Sequence, residues 1–208
     1  MTLEVLNLYA GIGGNRKLWD DVTDVNVTSV EWDADKADIY RDYFPDDTVI
    51  ETDAHDYLLD HFGEYDFIWA SPPCPTHSKM RKTFHQDDNP TYPDMKLYQE
   101  ILLLKHTYGG NWVVENVNPY YEPLIEGQKR ARHIFWSNFH IPAYEGETAN
   151  IRRQDDPDKH ETGMYGFDVS GYDLGKQKAR KILNNCVDPE LGKHILEATT
   201  TKRQATLF

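Results

Sequence analysis

The sequence predicts an α/β protein in which a largely parallel sheet carries helices on both faces. Short apolar runs alternate with longer segments of helical periodicity, which is typical of strand and helix units wound into one sheet. Polar or reactive residues directly follow several apolar runs, as expected at the carboxyl ends of parallel strands. The predicted strands are residues 5–9, 25–30, 49–50, 66–70, 112–114 and 133–136, and the predicted helices are residues 15–19, 33–43, 94–108 and 188–198.

Length and composition fit a single intracellular domain. The chain has 208 residues, which is enough to bury a sizeable core and would be cramped for a two-domain enzyme. Met1–Glu4 lacks the basic start of a signal peptide, and the longest aliphatic run, Ile101–Leu104, is too short to span a bilayer. The two cysteines, Cys74 and Cys186, are expected to be free thiols. We therefore expect a cytoplasmic protein with no membrane partner.

The distribution of charge leaves room for a nucleic-acid partner. A formal net charge of -13 argues against one, because phosphates require basic contacts. The basic residues nevertheless cluster, while acidic residues crowd positions 20–60. One basic face on an acidic body is one interpretation; ordinary solvated surface, or a salt-rich setting, is the other. The clusters are Lys79/Arg81/Lys82, Lys129/Arg130/Arg132, Arg152/Arg153 and Lys176/Lys178/Arg180/Lys181.

A cysteine follows one of the predicted buried strands. Ser71-Pro72-Pro73-Cys74 comes directly after residues 66–70, and its two prolines stiffen the loop and remove two amide donors. A stiff loop at the carboxyl edge of a sheet suits a nucleophile, although a lone cysteine there could equally be a buried structural thiol. The next buried strand leads into Glu115-Asn116-Val117. We expect a thiol and a carboxylate to share one cleft.

Three further strand ends indicate a nucleotide-like ligand. Tyr9-Ala10-Gly11-Ile12-Gly13-Gly14 is a glycine-rich turn, and Glu31 follows it by roughly twenty residues, where doubly wound folds place an acid on a ribose diol. Trp32 could stack on a purine, or it could be a partly buried packing residue. Asp53 could accept from an adenine amino group, or it could cap a helix. The glycine turn alone is a weak signal.

A basic segment precedes the last predicted strand. Alternation along an extended chain would point Gln128, Arg130 and Arg132 to the same side. Two guanidinium groups aimed together usually bind a carboxylate, a phosphate or the edge of a base.

Taken in order, these motifs resemble those of the C5-cytosine DNA methyltransferase family. Pro72-Pro73-Cys74 together with Glu115-Asn116-Val117 is the most specific part of the resemblance, which covers roughly residues 3–137 and 181–198. The sequence departs from the family at Pro75 and His77, where the family usually has glutamine and an aromatic residue, and at Asn184, where the last motif normally opens with glycine. The arginine-rich motif before it is not recognisable, and the target-recognition segment is shorter than usual. The matching segments are 9–14, 31–32, 52–54, 72–74, 115–117, Gln128/Arg130/Arg132 and 185–189.

The resemblance implies a class I S-adenosylmethionine-dependent methyltransferase sheet, which is Rossmann-like, with S-adenosylmethionine as cofactor, no metal, and double-stranded DNA as partner. It implies that Cys74 attacks C6 of a flipped cytosine, that Glu115 binds N3, and that Arg132 polarises O2, with Arg130 as a further catalytic residue. The residues implied for the cofactor are Tyr9, Gly11, Gly13, Glu31, Trp32, Asp53, Ala54, Pro72, Leu97 and Asn185. Those implied for the substrate are Ser78, Lys79, Arg81, Asn116 and Gln128.

Other functions remain compatible with the same residues. The cysteine chemistry could act on tRNA or a nucleotide, or could use a modified sulfonium donor. A non-catalytic cofactor-binding or DNA-binding module is a further alternative, although the joint presence of Cys74, Glu115 and Arg132 argues against it.

The predicted organisation has four parts. Residues 1–137 form the catalytic core, 138–180 a reduced target-recognition insertion, 181–198 a helix that returns to the core, and 199–208 a mobile tail. In the tail, Gln204, Leu207 and Phe208 resemble the peptide by which replication and repair proteins bind sliding clamps.

Overall fold

A computed structural model of the chain describes residues 2–79, 92–146 and 163–205, with the backbone alone for 201–205. Within these residues, seven strands form one open sheet. They are β1 (Leu3–Leu8), β2 (Val25–Val30), β3 (Thr48–Ile50), β4 (Phe67–Ala70), β5 (Asn111–Val117), β6 (Gln128–Arg130) and β7 (His133–Ser137).

The strand order defines where a ligand should bind. The order is β3-β2-β1-β4-β5-β7-β6, in which β1 to β5 are mutually parallel and β7 runs antiparallel to both of its neighbours. The order reverses between β1 and β4, because the chain first moves outward from β1 to β3 and then returns to the other side of β1. In open α/β sheets, ligands bind beside such a reversal, at the carboxyl ends of the strands. The predicted parallel α/β sheet is confirmed.

Alternation along the strands divides the core between the two faces of the sheet. In β1, Leu6 and Leu8 belong to one apolar cluster and Val5 to the other. In β4, Ile68 belongs to the first cluster and Trp69 to the second. A strand that is apolar on both sides must be covered on both faces, which explains why these runs are continuously hydrophobic in the sequence.

Helices cover both faces, as predicted. Residues of the helices at Ala54–His61 and Lys96–Thr107 lie in the cluster of Leu6, whereas residues of the helix at Pro189–Ala205 lie in the cluster of Val5. Within the described residues, no helix is both long enough and apolar enough to cross a membrane. The helices are α1 (Ala34–Tyr43), α2 (Ala54–His61), α3 (Lys96–Thr107), α4 (Lys176–Asn184) and α5 (Pro189–Ala205).

The helix predicted at residues 15–19 is wrong. The described chain turns through residues 11–18 and forms only a short 3-10 helix at Trp19–Asp21. Tertiary contacts set this path: Arg16 binds the Asp47 carboxylate at 2.9 Å, and a Cβ added at Gly192 of α5 would lie 2.3 Å from the carbonyl oxygen of Asn15. The glycine turn is therefore not followed by the helix amino end that was expected to favour an anionic group.

The predicted tail is also partly wrong. Helix α5 continues to Ala205, whereas the sequence predicted a helix over 188–198 and a mobile tail from 199. Three consecutive threonines have low helix propensity, which concealed the continuation. Thr199 and Thr200 instead donate their hydroxyl protons to the carbonyls of Leu196 and Glu197, at 2.7 and 2.8 Å. Residues 206–208 lie outside the described residues.

Part of the predicted insertion belongs to the core. A hairpin of β8 (Gly163–Met164) and β9 (Phe167–Asp168) packs with Ile12 and Ile39 in a third apolar cluster. The ammonium of Lys17 donates to the carbonyl of Tyr165 at 2.7 Å and lies 4.2 Å from the centre of the Phe167 ring. Residues 147–162 lie outside the described residues, so the division at 138 and 180 stays a prediction.

Candidate active site

A cavity of about 210 Å³ opens at the carboxyl edge of the sheet. It brings together seven residues that the sequence predicted for the cofactor, whereas its lining does not include Gly11, Gly13 or Asn185. Those seven are Tyr9, Glu31, Trp32, Asp53, Ala54, Pro72 and Leu97, and the lining is completed by Val30, Thr52, Pro73, His77, Asp94 and Lys96.

The Glu31 carboxylate ties the end of β2 to the glycine turn. It is buried and accepts from the backbone N–H of Gly11 at 2.9 Å, from the N–H of Asp33 at 3.0 Å and from the ammonium of Lys36 at 3.2 Å. Gly11 has φ of +58° and Gly13 has φ of +84°, a region that favours glycine. Both glycines therefore shape the turn that borders the cavity.

Trp32 and Asp53 stand at the mouth of the cavity. Trp32 is 78% exposed, so its alternative interpretation as a buried packing residue is wrong. Asp53 caps α2 by accepting from the N–H groups of His55 and Asp56, at 2.8 and 3.3 Å, and its other oxygen lies 3.5 Å from the ammonium of Lys96. Partial burial acts to raise the pKa of Asp53, but these N–H groups and Lys96 lower it overall. Asp53 therefore remains an ionised acceptor.

A buried carboxylate holds one wall of the cavity. Tyr9 donates its hydroxyl proton to Oε1 of Glu100 at 2.5 Å, and Nδ1 of His55 lies 3.0 Å from the same oxygen. Burial and the Glu100 charge raise the pKa of Tyr9 well above its usual value, so the phenol stays a donor. Tyr9 also has φ of +57°, a strained conformation for a residue with a side chain. The contact links β1, α2 and α3 behind the cavity.

The Cys74 loop is hydrogen-bonded to β5. The Asn116 side chain donates to the carbonyl of Pro72 at 2.9 Å, while the Cys74 carbonyl accepts from the N–H groups of His77 and Ser78 at 3.0 Å each. Because β4 and β5 are parallel neighbours, their carboxyl ends deliver Cys74 and the Glu-Asn-Val segment to the same edge. Both residues therefore lie at one edge of the sheet, and the shared cleft stays a prediction.

The charges around Cys74 oppose one another. Burial, followed by the negative charge of Glu115, raises the pKa of the Cys74 thiol above its usual value of 9.0. The positive charges of Arg132 and Lys181 act to lower it. Glu115 and Arg132 are thus close enough to influence the sulfur electrostatically. The thiol is therefore protonated at neutral pH, with the positive charge of Arg132 available to stabilise the thiolate.

Glu115 has a neighbour that the sequence did not predict. It is buried in β5, and one of its oxygens lies 3.5 Å from Nε2 of His133, the first residue of the adjacent antiparallel strand β7. Burial lowers the pKa of His133, against the influence of the Glu115 charge. A neutral imidazole therefore faces the carboxyl group.

The common orientation predicted for Gln128, Arg130 and Arg132 is wrong. Strand β6 ends at Arg130, and Ala131 has φ of +51°, which interrupts the alternation. Gln128 and Arg130 both bind the segment around residues 137–142: the Gln128 side chain bonds to Ser137, Phe139 and Ile141, and the Arg130 guanidinium donates to the carbonyls of Ile141 and Pro142. Arg132 separates from them and donates to the carbonyl of Asn184 at 3.2 Å.

Of the residues predicted for the substrate, Ser78 and Asn116 lie beside the Cys74 loop, whereas Gln128 binds the segment around residues 137–142. Ser78 forms an isolated bridge with Pro119, Lys79 is exposed next to it, and Arg81 lies outside the described residues. Asn185 is exposed at the end of α4, where its N–H donates to the carbonyl of Lys181.

The basic character of α4 is partly neutralised. The Lys178 ammonium contacts the carboxylates of Asp33 and Asp35 at the start of α1, with 3.2 Å to Asp33. This pairing seats α4 on α1, so Lys178 serves the fold. Arg180 and Lys181 are exposed on the same helix.

Sequence reasoning missed several polar residues of the site. His77, Asp94 and Lys96 line the cavity, and His55 and Glu100 support it. The signal for Glu100 was present: it shares a helix face with Leu97 and Leu104, where an acid in an apolar stripe must find a partner. His77 carried a weaker signal, because only its place after Cys74 marked it.

A second depression, of about 500 Å³, lies at the opposite edge of the sheet. It is wider but holds none of the thiol, carboxylate and guanidinium groups described above. In the described part of the chain, no group of three or more His, Cys, Asp or Glu residues is arranged to hold a metal ion. The lining residues of the depression are Phe62, Gly63, Tyr65, Asp66, Thr107, Tyr108, Gly109, Gly110 and Asn111.

The fold and the site define an open α/β protein. Its cavity has a lining suited to a nucleotide-like ligand, and a cysteine and a carboxylate lie at the same edge of the sheet. The family model described as C-5 cytosine-specific DNA methylase matches residues 3–122, more than half of the chain. The chain therefore belongs to the C-5 cytosine-specific DNA methylase family, and its sheet is that of a class I, Rossmann-like methyltransferase.

Comparisons with individual proteins give partial matches. The chain is 32% identical over 127 residues to the Type II methyltransferase M1.HphI of Haemophilus parahaemolyticus, covering 56% of this chain and 33% of that protein. A solved structure of a Spodoptera frugiperda DNMT2 mutant is 21% identical, with a TM-score of 0.40 and coverage of 55% and 35%. A putative prophage-encoded DNA modification methyltransferase from E. coli is 18% identical, with a TM-score of 0.39 and coverage of 58% and 33%. The chain thus spans about a third of the length of these relatives.

Proposed function

We propose that this protein is a DNA (cytosine-5)-methyltransferase that uses S-adenosylmethionine and a covalent cysteine adduct. The observation that carries the proposal is the placement of Cys74 and Glu115 at one carboxyl edge, joined by the hydrogen bond from Asn116 to Pro72. Membership in the methylase family supports the same reaction.

The cavity residues fit the proposed cofactor. Exposed Trp32 offers an aromatic face to a purine, and Asp53 offers an acceptor to an exocyclic amino group. Glu31 lies where a ribose diol is bound in related α/β folds, with Leu97 and Pro72 as apolar walls. When bound, S-adenosylmethionine supplies an electrophilic methyl group.

The nucleophilic step is assigned to Cys74. Its thiolate forms a bond to C6 of the cytosine, and the electron pair of the C5–C6 double bond moves toward C5 and the N3–O2 side of the ring. Negative charge therefore develops where Glu115 and Arg132 would meet the base. We assign to Glu115 the proton at N3 and to Arg132 the contact with O2.

The reaction then closes by elimination. C5 would take the methyl group with the electron pair that had moved toward it, and the electron pair of the broken carbon–sulfur bond would stay on the departing thioether, S-adenosylhomocysteine. The N3 proton would return to Glu115. A base would then remove the C5 proton, and the electron pair of that C–H bond would re-form the C5–C6 double bond as the Cys74 thiolate leaves. Electrons and protons balance without an oxidant or a metal. The target base must leave the helix to reach Cys74, which costs a few kcal/mol that contacts in the pocket must offset.

The roles proposed for Arg130 and Gln128 need revision within this scheme. Both side chains bind the segment at residues 137–142 and hold it on β6 and β7. We propose that they hold this segment on the sheet and take no direct part in the reaction, and that Arg132 is the arginine that meets the base.

The test is nucleoside mass spectrometry after incubation of the full chain with duplex DNA and S-adenosylmethionine. We expect 5-methylcytosine with the wild type and none with Cys74→Ser, because a hydroxyl is a much weaker nucleophile. Duplexes containing 5-fluorocytosine should trap the wild type covalently, since fluorine cannot leave as a proton. Product only on tRNA, or a modified group other than methyl, would redirect the proposal, and an active Cys74→Ser would end it.

We also propose a contact with a sliding clamp through the end of the chain. Gln204 lies in α5, while Leu207 and Phe208 lie outside the described residues. Calorimetric titration of the full chain against the host clamp should give an affinity of micromolar order, about −8 kcal/mol, that is lost in a Leu207→Ala, Phe208→Ala double variant. Equal heat from both proteins, or none from either, would remove this partner.

A further inference from the structure

His77 lines the cavity, and Nε2 of its buried ring has no well-formed hydrogen bond. Within the described residues, four buried side-chain atoms lack a hydrogen bond, and His77 is the one residue among them that lines the cavity. Its side chain is fully packed, with 1% of the residue exposed. The four atoms are Nε2 of His77, Oε2 of Glu100, Oδ1 of Asn118 and Nδ1 of His133.

A chain of hydrogen bonds reaches the other nitrogen of the His77 ring. The backbone N–H of Leu124 donates to the Tyr98 hydroxyl at 3.2 Å, and Tyr98 donates to the Tyr121 hydroxyl at 3.3 Å. The Tyr121 hydroxyl lies 2.5 Å from Nδ1 of His77.

The direction of this chain is set by its first member, because an amide nitrogen can only donate. Tyr98 must accept from Leu124, which leaves its own proton for the oxygen of Tyr121. The Tyr121 proton then goes to Nδ1 of His77. The opposite direction would leave the Tyr98 proton without an acceptor at a buried site, which is costly.

It follows that neutral His77 carries its proton on Nε2. Burial lowers the pKa of His77, against the opposing influence of the Asp94 carboxylate and backbone carbonyl, so the ring is neutral at neutral pH. The Asp94 backbone carbonyl acts on the ring, but it does not form a well-aligned hydrogen bond with Nε2. The wall of the cavity therefore holds an oriented N–H donor without a well-formed hydrogen bond.

We propose that Nε2–H of His77 is a ligand-binding donor that takes an acceptor atom of a nucleoside bound in this cavity. The assignment rests on the proposed function, because Trp32, Asp53 and Glu31 in the same lining suit the nucleoside part of S-adenosylmethionine. The acceptors that such a group offers are ring nitrogens and ribose oxygens. The family usually has an aromatic residue at this position, and the proposal gives the histidine found here a function.

Matched substitutions separate the donor from the bulk of the ring. His77→Gln can place an amide N–H near the position of Nε2, His77→Asn retains a polar group only near Nδ1, and His77→Phe keeps an aromatic ring without a donor. Titration calorimetry of the full chain with S-adenosylhomocysteine should show a dissociation constant raised about tenfold in His77→Asn and His77→Phe, equivalent to about 1.4 kcal/mol. His77→Gln should bind within about threefold of the wild type. Thermal unfolding without ligand checks that each variant is folded.

Nitrogen-detected NMR of the imidazole provides a readout that does not depend on activity. Wild-type His77 should carry its proton on Nε2, and the Nε2 resonance should move when S-adenosylhomocysteine binds. Tyr121→Phe removes the hydroxyl that fixes the tautomer, so the Nδ1–H form should become populated and the affinity should fall.

The outcomes distinguish the two proposals. Failure of the wild type to bind S-adenosylhomocysteine would count against the proposed function. Equal affinity in the wild type and all three His77 variants, or a proton found on Nδ1 in the wild type, would overturn the role of His77 alone. An effect on duplex DNA binding without one on S-adenosylhomocysteine would move the contact to the target nucleotide and overturn the assignment to the cofactor.

Discussion

The side-chain amide of Asn116 donates to the carbonyl of Pro72 at 2.9 Å, while its oxygen accepts from the N–H of Val117 at the same distance. Asn116 is buried, and its amide is fixed in one orientation because its NH2 group must donate to Pro72 while its oxygen must accept from Val117. The pair connects the strand that carries Glu115 to the loop that carries Cys74. Asn116 therefore helps to hold the Cys74 loop against the strand that carries Glu115.

We expect Asn116→Asp to lower the methylation rate more than the affinity for S-adenosylhomocysteine. The carboxylate would face the Pro72 carbonyl without a proton to donate and would push the Cys74 loop away. A displacement of about 1 Å at the reacting atoms can cost about 100-fold in rate. Single-turnover kinetics and titration calorimetry would separate the two effects.

The matched control is Asn138→Asp at the opposite edge of the sheet. Asn138 makes the same kind of double contact, donating to the carbonyl of Gly110 at 2.9 Å and accepting from the N–H of Trp112 at 3.1 Å. Its substitution should affect stability but leave the rate per folded molecule near that of the wild type. Similar rate losses in both variants would contradict the role given to Asn116.

The rate should rise with pH as the Cys74 thiol ionises. Burial and Glu115 raise the pKa of Cys74 above 9.0, so the reactive thiolate is a minor form at neutral pH. Arg132→Gln removes a positive charge that lowers this pKa. The ascending limb of the pH profile of kcat/KM should therefore move to higher pH, and the rate at a fixed pH on that limb should fall. Arg130→Gln should not move the limb, because Arg130 binds carbonyls of residues 141 and 142. A limb in the same place in the wild type and Arg132→Gln would contradict this electrostatic role.

The His55–Glu100 contact should make stability depend on pH. The hydrogen bond to Glu100 raises the folded-state pKa of His55 above its usual 6.5. A raised pKa contributes stability that is fully present below the unfolded pKa and is lost as the pH rises through the folded value. We therefore expect the free energy of unfolding to decline above pH 6.5, and to decline less in Glu100→Gln.

Other charged groups also influence the His55–Glu100 pair, so the prediction needs a control that leaves them in place. Lys96 opposes protonation of His55 and Asp53 favours it, while Asp94 acts on Tyr9. Tyr9→Phe keeps both ionisable partners and should retain the pH dependence while weakening the cavity wall. Urea unfolding across the pH range would reveal the difference, and an unchanged slope in Glu100→Gln would count against the coupling.

The sequence was sufficient to predict six of the seven strands of the main sheet and the sheet edge that holds the site; it did not predict β6. Runs such as residues 66–70 and 112–114 are apolar on both faces, and their burial required helices on both sides. The edge position of Cys74 and Glu115 followed directly, because it depends on strand direction and not on side-chain detail.

What the sequence could not predict depends on long-range contacts. The turn after Gly13 replaces a helix because Asp47 and Gly192, far along the chain, hold Arg16 and Asn15. The orientation of Arg132 depends on the backbone of Ala131, whose positive φ has no signature in its residue type. The orientation of His77 depends on a tyrosine brought from residue 121 by the fold.

The close approach of the final segment to the glycine turn gives a test of this long-range packing. A Cβ added at Gly14 would lie 2.3 Å from the sulfur of Cys186 and 2.4 Å from the carbonyl oxygen of Val187. Because the carbonyl belongs to the backbone, it cannot move aside cheaply. We expect Gly14→Ala to destabilise the protein by about 1–3 kcal/mol, as for other overpacked sites.

Gly63→Ala is the matched control, because a Cβ there would meet nothing within 4 Å. Gly14 and Gly63 both lie outside the positive-φ glycines, so the two substitutions differ in available space and not in backbone strain. Urea unfolding should show a clear loss of stability for Gly14→Ala and a change within about 0.5 kcal/mol for Gly63→Ala, as is usual away from packed sites. Equal stability of the two variants would mean that residues 186–187 do not pack against the glycine turn as described. The packing of α5 against the glycine turn would then need revision.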